Sequence, residues 1–253
     1  MENNIAIKEL ILKMADDALI IGHRNSEWTG IGPVLEEDIA FSSMSQDKIG
    51  HAWALYMILQ EQFGEIDADT KAFNRTEKEF TCCHLVEYPI GEYDFSIMRH
   101  FLMDKAEYHR YDMLTQSSFI PLQHLAKKVK GEIKYHVMHA ETWVEQLAKG
   151  NEESKARIQS ALDYAYPIAL SLFEKSENEE FLKNENIFGG EEALFNLWHE
   201  DVKKHIEHYG LKMPAVNDVT LHYGGRKGFH TEHLAPLLKE MTEVFALDPK
   251  AEW

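Results

Sequence analysis

Apolar residues recur three and four apart through almost every long segment of this chain. Nowhere does an alternating apolar-polar run persist. That pattern commits the chain to helices packed by one face. Residues 5–22 carry Ile5, Leu10, Ile11, Met14, Leu19 and Ile21 on one side. A second helix is expected from Pro33, which suits a first turn, through Ile39, Met44, Ile49, Trp53, Tyr56 and Leu59 to Gly64. Residues 65–93 read as a connection with one short helix or irregular stretch around 77–88. Asp94 is the expected cap of a helix to about Ser117, and Pro121 opens another that ends before Gly150. Asn151 caps a fifth helix to about Glu174, with Pro167 as a candidate kink, and Glu191–His208 forms a sixth. A short helix over 232–245 follows Gly224-Gly225-Arg226-Lys227-Gly228, which reads as a flexible basic loop. The expectation is a single all-α domain spanning 1–253.

Two of these helices carry a histidine at a telling place. The segments are Gln46-Asp47-Lys48-Ile49-Gly50-His51 and Gly131-Glu132-Ile133-Lys134-Tyr135-His136. Four-helix di-iron carboxylate proteins place a Glu-x-x-His on each of two helices, so that both side chains project inward. Here the position three before each histidine holds Lys48 and Ile133. Asp104 with Glu107 on a third helix, and Asp16 with Asp17 on the first, would complete a polar residue inside each apolar stripe. Any one such pair is more commonly a solvated acidic face, and fourteen histidines guarantee some chance pairs. It is their joint occurrence, one per helix, that raises a core site.

Charge bears on whether such a site holds metal. Two unit charges ~4 Å apart at an effective dielectric of ~20 repel by about 4 kcal/mol, and a divalent ion doubles that. Lys48 would therefore oppose a metal, and Ile133 removes a ligand outright. The expectation is a metal-free vestigial pocket of Lys48, His51, Ile133, His136, Asp104, Glu107 and Asp17, in which ion pairs replace the metals. A register-shifted alternative keeps a metal on Asp47, His51, Glu132 and His136, each acid four residues before its histidine.

Net charge is −17, the wrong sign for non-specific binding to nucleic acid or an anionic membrane. No apolar run approaches the roughly 20 residues a membrane span needs. Cys82 and Cys83 are adjacent and build no disulfide framework, so a cytoplasmic location is expected. The vicinal thiols could bind a soft metal, although chance neighbours are the plainer reading. Arg226 and Lys227 could contact a phosphate, although a flexible connection is the plainer reading there too. No dinucleotide fingerprint, P-loop or nucleophile elbow occurs.

The stretch Asp16-x-x-Leu19-x-x-x-x-Arg24-x-x-Glu27-Trp28-x-Gly30-x-x-Pro33-x-Leu35-Glu36-x-Asp38-x-Ala40, followed by Asp47-x-x-Gly50-x-Ala52, resembles the C subunits of bacterial phenylacetyl-CoA epoxidases. So do Lys134-Tyr135-His136, leading to Trp143 and Leu147, and the tail Gly224-Gly225-Arg226-Lys227-Gly228-Phe229-His230-Thr231-Glu232-His233-Leu234-x-Pro236-x-Leu238-x-Glu240-Met241. The resemblance implies a ferritin-like four-helix bundle with additional C-terminal helices. It also implies a structural subunit of the multicomponent oxygenase that epoxidises the ring of phenylacetyl-CoA. The di-iron centre would sit in a catalytic A subunit, the expected partner, and this chain would carry no cofactor. Lys48 and Ile133 then stand where the A subunit has ligand glutamates, and His51 and His136 stand on its ligand histidines. Other epoxidase subunits and a second copy of the chain are further candidate partners. Arg226 and Lys227 are candidate contacts for the acyl-CoA or a partner. A free-standing di-iron or di-manganese oxidase is the alternative.

Overall fold

A computed structural model describes residues 2–216, 218 and 220–248. Among these residues the chain is all-α, with ten α-helices and no strand. They are α1 (Glu2–Ser26), α2 (Leu35–Phe63), α3 (Ala68–Phe73), α4 (His84–Glu87), α5 (Tyr93–Leu114), α6 (Ile120–Lys149), α7 (Glu152–Ala169), α8 (Glu179–Asn184), α9 (Glu191–His208) and α10 (Leu234–Thr242). The chain divides into two compact units. The first takes residues up to Ile7 and Ile90–Tyr223; the second takes Lys8–Pro89 and everything from Gly224.

In the first unit α5 packs on α6, α7 and α9. The cause is visible on α6. Leu122, Ala126, Val129, Ile133, His136, Ala140, Val144 and Ala148 are spaced by three or four residues and all are buried. On α9, Trp198 is fully buried; its ring lies 5.3 Å from Tyr166 and its Nε1 donates to the Leu102 carbonyl at 2.8 Å. An aromatic burial of this kind contributes about 2–3 kcal/mol, and the hydrogen bond keeps the indole N–H from opposing it. Ion pairs tie the same helices together. Lys105 Nζ on α5 meets Glu141 on α6 at 2.5 Å and Asp201 on α9 at 3.1 Å, and buried Arg110 meets buried Glu191 at 3.0 Å.

In the second unit Ser45 on α2 donates to the Gly22 carbonyl of α1 at 2.6 Å, and α3 packs on α10. The buried face of α2 runs through Phe41, Met44, Lys48, His51, Leu55, Tyr56 and Leu59. Lys48 and His51 thus occupy core positions of their helix.

Several boundaries differ from expectation. Helix α5 begins at Tyr93 with Glu92 as its cap residue; Asp94 lies in the first turn, where its carboxylate binds Arg157 at 2.9 Å. It also ends at Leu114, before Ser117. Asn151 does cap α7, its side chain accepting from Ser154 N. Regular α-helix stops at Ala169, two residues past Pro167, and continues as a 3₁₀ turn over Leu170–Phe173. Proline cannot donate to the carbonyl four residues back, so the helix tightens there. The connection holds two short helices, α3 and α4, with a 3₁₀ turn at Glu77–Glu79 between them. The segment expected to be a flexible loop is a hydrogen-bonded 3₁₀ turn, Gly225–Lys227.

Candidate functional site

Within the second unit, α1 presents two adjacent buried carboxylates, and each meets its own arginine. Asp16 takes Arg75 at 2.6 and 3.0 Å, the Tyr56 hydroxyl at 2.6 Å, and both the N–H and the hydroxyl of Thr81 at 2.7 and 3.0 Å. The Arg75 guanidinium also lies 4.0 Å over the Phe80 ring. Burial and the Asp16 charge push the Tyr56 phenol well up. Burial works against the Arg75 cation, but Asp16 more than offsets it and raises its pKa.

Asp17 takes Arg226 through both oxygens, at 2.7 Å each, and the Cys83 N–H at 2.8 Å. Arg226 also donates to the Thr81 carbonyl at 2.8 Å. Its side chain is only 6% exposed and is engaged by the ion pair with Asp17. Of Arg226 and Lys227, only Lys227 is exposed.

The tail continues inward. His230 Nδ1 lies 2.7 Å from Glu87 Oε1, and its Nε2 lies 3.0 Å from the Phe80 carbonyl. Thr231 donates its N–H and hydroxyl to Glu87 Oε2, both at 2.7 Å. Burial pulls the His230 pKa down, but the bond to Glu87 and its charge outweigh that and raise it. Arg24 on α1 donates to the Glu87 carbonyl at 2.7 and 3.0 Å. Gly225 comes so close to the 80–88 segment that a Cβ on it would sit 2.2 Å from the Cys82 carbonyl oxygen. Gly228, at φ +77°, would place one 2.5 Å from the Lys78 carbonyl oxygen. The glycines here permit close approach and left-handed backbone.

The vestigial-pocket residues are divided between the units. Asp17, Lys48 and His51 lie in the second unit; Asp104, Glu107, Ile133 and His136 lie in the first. Lys48 and Ile133 are fully buried, His51 and His136 nearly so. Asp104 is buried and its Oδ2 lies 3.0 Å from His100 Nδ1, while Glu107 is half-buried. Of the shifted set, Asp47 and Glu132 are half-buried, and Glu132 faces Lys128 at 4.0 Å.

Ile133 offers no ligand atom, and Lys48 occupies a core position of α2. Asp17 and Asp104 already hold partners. Arg75, Glu87 and His230 were not anticipated as part of any site. The signal was the pair Asp16-Asp17 inside an apolar stripe, since buried carboxylates require hydrogen-bonded counter-charges.

A family model described as phenylacetic acid catabolic protein matches residues 2–253. The chain belongs to this family. Its fold is ferritin-like, in agreement with the all-helical architecture. The chain is 31% identical over 242 residues to the C subunit of the 1,2-phenylacetyl-CoA epoxidase of Escherichia coli (strain K12), covering 96% of this chain and 97% of that relative.

Proposed function

We propose that this chain is the non-catalytic C-type subunit of a multicomponent phenylacetyl-CoA epoxidase in phenylacetate catabolism. In that assembly a related A-type subunit holds the di-iron centre and forms the ring-1,2-epoxide from O₂ and reducing equivalents. The observation that carries this reading is the end-to-end match to a C-type relative. The substitution of the glutamates of both Glu-x-x-His pairs by Lys48 and Ile133 supports it. The chain keeps the fold, contributes no ligand set, and supports the A-type subunit structurally; the Lys48 ammonium stands in for the missing metal charge.

The surface suits a hetero-oligomer. Leu35, Ile39 and Trp53 on α2 are 70%, 61% and 57% exposed, and with the less exposed Ile49 they fall on one helical face. The face is apolar at its two ends and interrupted by Ser42 and the exposed Gln46 between them; exposed apolar side chains grouped on one helical face suit a protein interface. No described helix is long and apolar enough to cross a membrane, which fits a subunit working in the cytoplasm. Nothing favours the free-standing oxidase, because the half-buried Asp47 and Glu132 are poorly placed for a core site.

Co-expression with an A-type subunit tests the proposal. The expected result is co-purification and phenylacetyl-CoA epoxidation by the pair plus a reductase, with no turnover by this chain alone. Turnover by the isolated chain with bound iron overturns it.

A further inference from the structure

Cys82, Glu87 and His230 bring Sγ, Oε1 and Nδ1 within 4.8 Å of one another, inside the second unit. Sγ lies 3.8 Å from Oε1 and 3.9 Å from Nδ1, and Oε1 lies 2.7 Å from Nδ1. Cys82 and Glu87 are fully buried, and the His230 side chain is 3% exposed.

Outer contacts aim all three donors. The Phe80 carbonyl can only accept, so His230 Nε2 carries a proton toward it and Nδ1 is turned to the cluster. Histidines that bind metals use this same bond to fix their tautomer and ring. Glu87 Oε2 is held by Thr231 N–H and hydroxyl, which leaves Oε1 facing inward. Sulfur, imidazole and carboxylate together form a donor set that suits zinc.

We propose that Cys82, Glu87 and His230 bind a single divalent ion of the zinc class, which clamps the C-terminal tail onto the 80–88 segment. On binding, Sγ releases its proton to solvent, Nδ1 gives up any proton it carries, and bonds from sulfur, nitrogen and oxygen form to the ion. A thiolate, a neutral imidazole, a carboxylate and a divalent cation sum to zero, so the loaded site leaves no uncompensated charge in the interior, which is the usual obstacle to burying an ion.

Ordinary zinc bond lengths at tetrahedral angles separate the donor pairs by roughly 3.3–3.6 Å. Glu87 and His230 must therefore part by roughly 0.7 Å and the sulfur move in by roughly 0.3 Å, both within side-chain adjustment. Three protein ligands leave the fourth position for a water. The site stands on its own chemistry and does not depend on the subunit role proposed above.

The test is Co²⁺ titration of the full chain after chelator treatment, with Co²⁺ as an optical substitute for zinc. The expected result is a one-to-one rise of thiolate-to-cobalt charge-transfer absorption, reversed by one equivalent of Zn²⁺. The Cys83→Ser variant retains the band and, because Cys82 is then the sole cysteine, assigns it. Cys82→Ser, shown to be folded by circular dichroism, loses it. Absence of a thiolate band in the parent chain with excess Co²⁺, its loss in folded Cys83→Ser, or its persistence in Cys82→Ser overturns the proposal. If Cys82→Ser does not fold, the parent and Cys83→Ser spectra decide alone.

Discussion

The Arg226 guanidinium closes on both carboxylate oxygens of Asp17, Nη1 to Oδ1 and Nη2 to Oδ2, each at 2.7 Å. Both side chains are only 6% exposed, and 209 residues separate them in sequence. Removing one member leaves the other's charge buried. Arg226→Leu is expected to destabilise by about 3–5 kcal/mol. Replacing both, Asp17→Leu with Arg226→Leu, is expected to recover much of that loss, because no charge is then stranded. Denaturant melts of the two single variants and the double variant measure the coupling. Additive losses would show that the pair does not act as a unit.

The turn that delivers Arg226 depends on a missing methyl group. A Cβ at residue 225 would sit 2.2 Å from the Cys82 carbonyl oxygen, a backbone atom that cannot rotate away. Gly225→Ala is therefore expected to destabilise by about 2–3 kcal/mol, at the upper end for overpacking. The expected signature is early proteolysis within the tail, before the rest of the chain is cut. Unchanged tail protection would mean that the turn can shift without cost.

Asp201 anchors the ion-pair hub of the first unit. Burial pushes its carboxyl up, but the His109 bond, the Lys105 ammonium and His205 outweigh that and hold it well below the ordinary range. A depressed acid contributes stability that is fully present above the unfolded carboxylate value, near about pH 4. As pH falls below that, the unfolded chain takes up its proton first and the contribution fades. Asp201→Asn is expected to lower stability at neutral pH and to flatten the acid limb of the stability profile. Melting temperatures between neutral pH and about pH 3 check both parts. A parallel profile, simply displaced downward, would remove Asp201 from the cause.

The exposed apolar side chains of α2 carry the prediction for assembly. Trp53 is 57% exposed and is the largest of them, and aromatic residues of this kind dominate interface energies. Trp53→Asp is expected to weaken capture by the A-type subunit by roughly thirtyfold, equivalent to about 2 kcal/mol. Helix content should stay unchanged, because the side chain contributes little to the chain's own core. Unaltered affinity would place the partner on another face.

Helix bodies were legible because periodicity is local: the stripe on α6 follows from spacing, whereas the apolar residues read on α2 divide between two faces, Met44, Tyr56 and Leu59 buried and Ile39, Ile49 and Trp53 exposed. Partners were not, because pairing is a property of the fold. Asp16 and Asp17 declare a need for counter-charge, yet Arg75 and Arg226 lie 59 and 209 residues away. The glycines of the tail read as flexibility in sequence, whereas two of them sit where a neighbouring carbonyl excludes a side chain. Helix α8 is six residues long, too short for periodicity to register.

Lys48 gives the sharpest test of the proposal that this chain contributes no di-iron ligand set. It is fully buried and three residues before the nearly buried His51. Lys48→Glu exchanges a buried cation for an acid and recreates one Glu-x-x-His pair, while Ile133→Glu recreates the other. The repulsion removed is about 4 kcal/mol per unit charge, larger than the gain from one added ligand atom on a site that water can complete. Lys48→Glu alone is therefore expected to raise Fe²⁺ uptake above the parent chain, Ile133→Glu alone to do little, and the double variant to bind most. Anaerobic Fe²⁺ titration with equilibrium dialysis ranks the three. If Ile133→Glu alone binds iron as well as the double variant, the missing ligand, and not the lysine charge, is what excludes the metal.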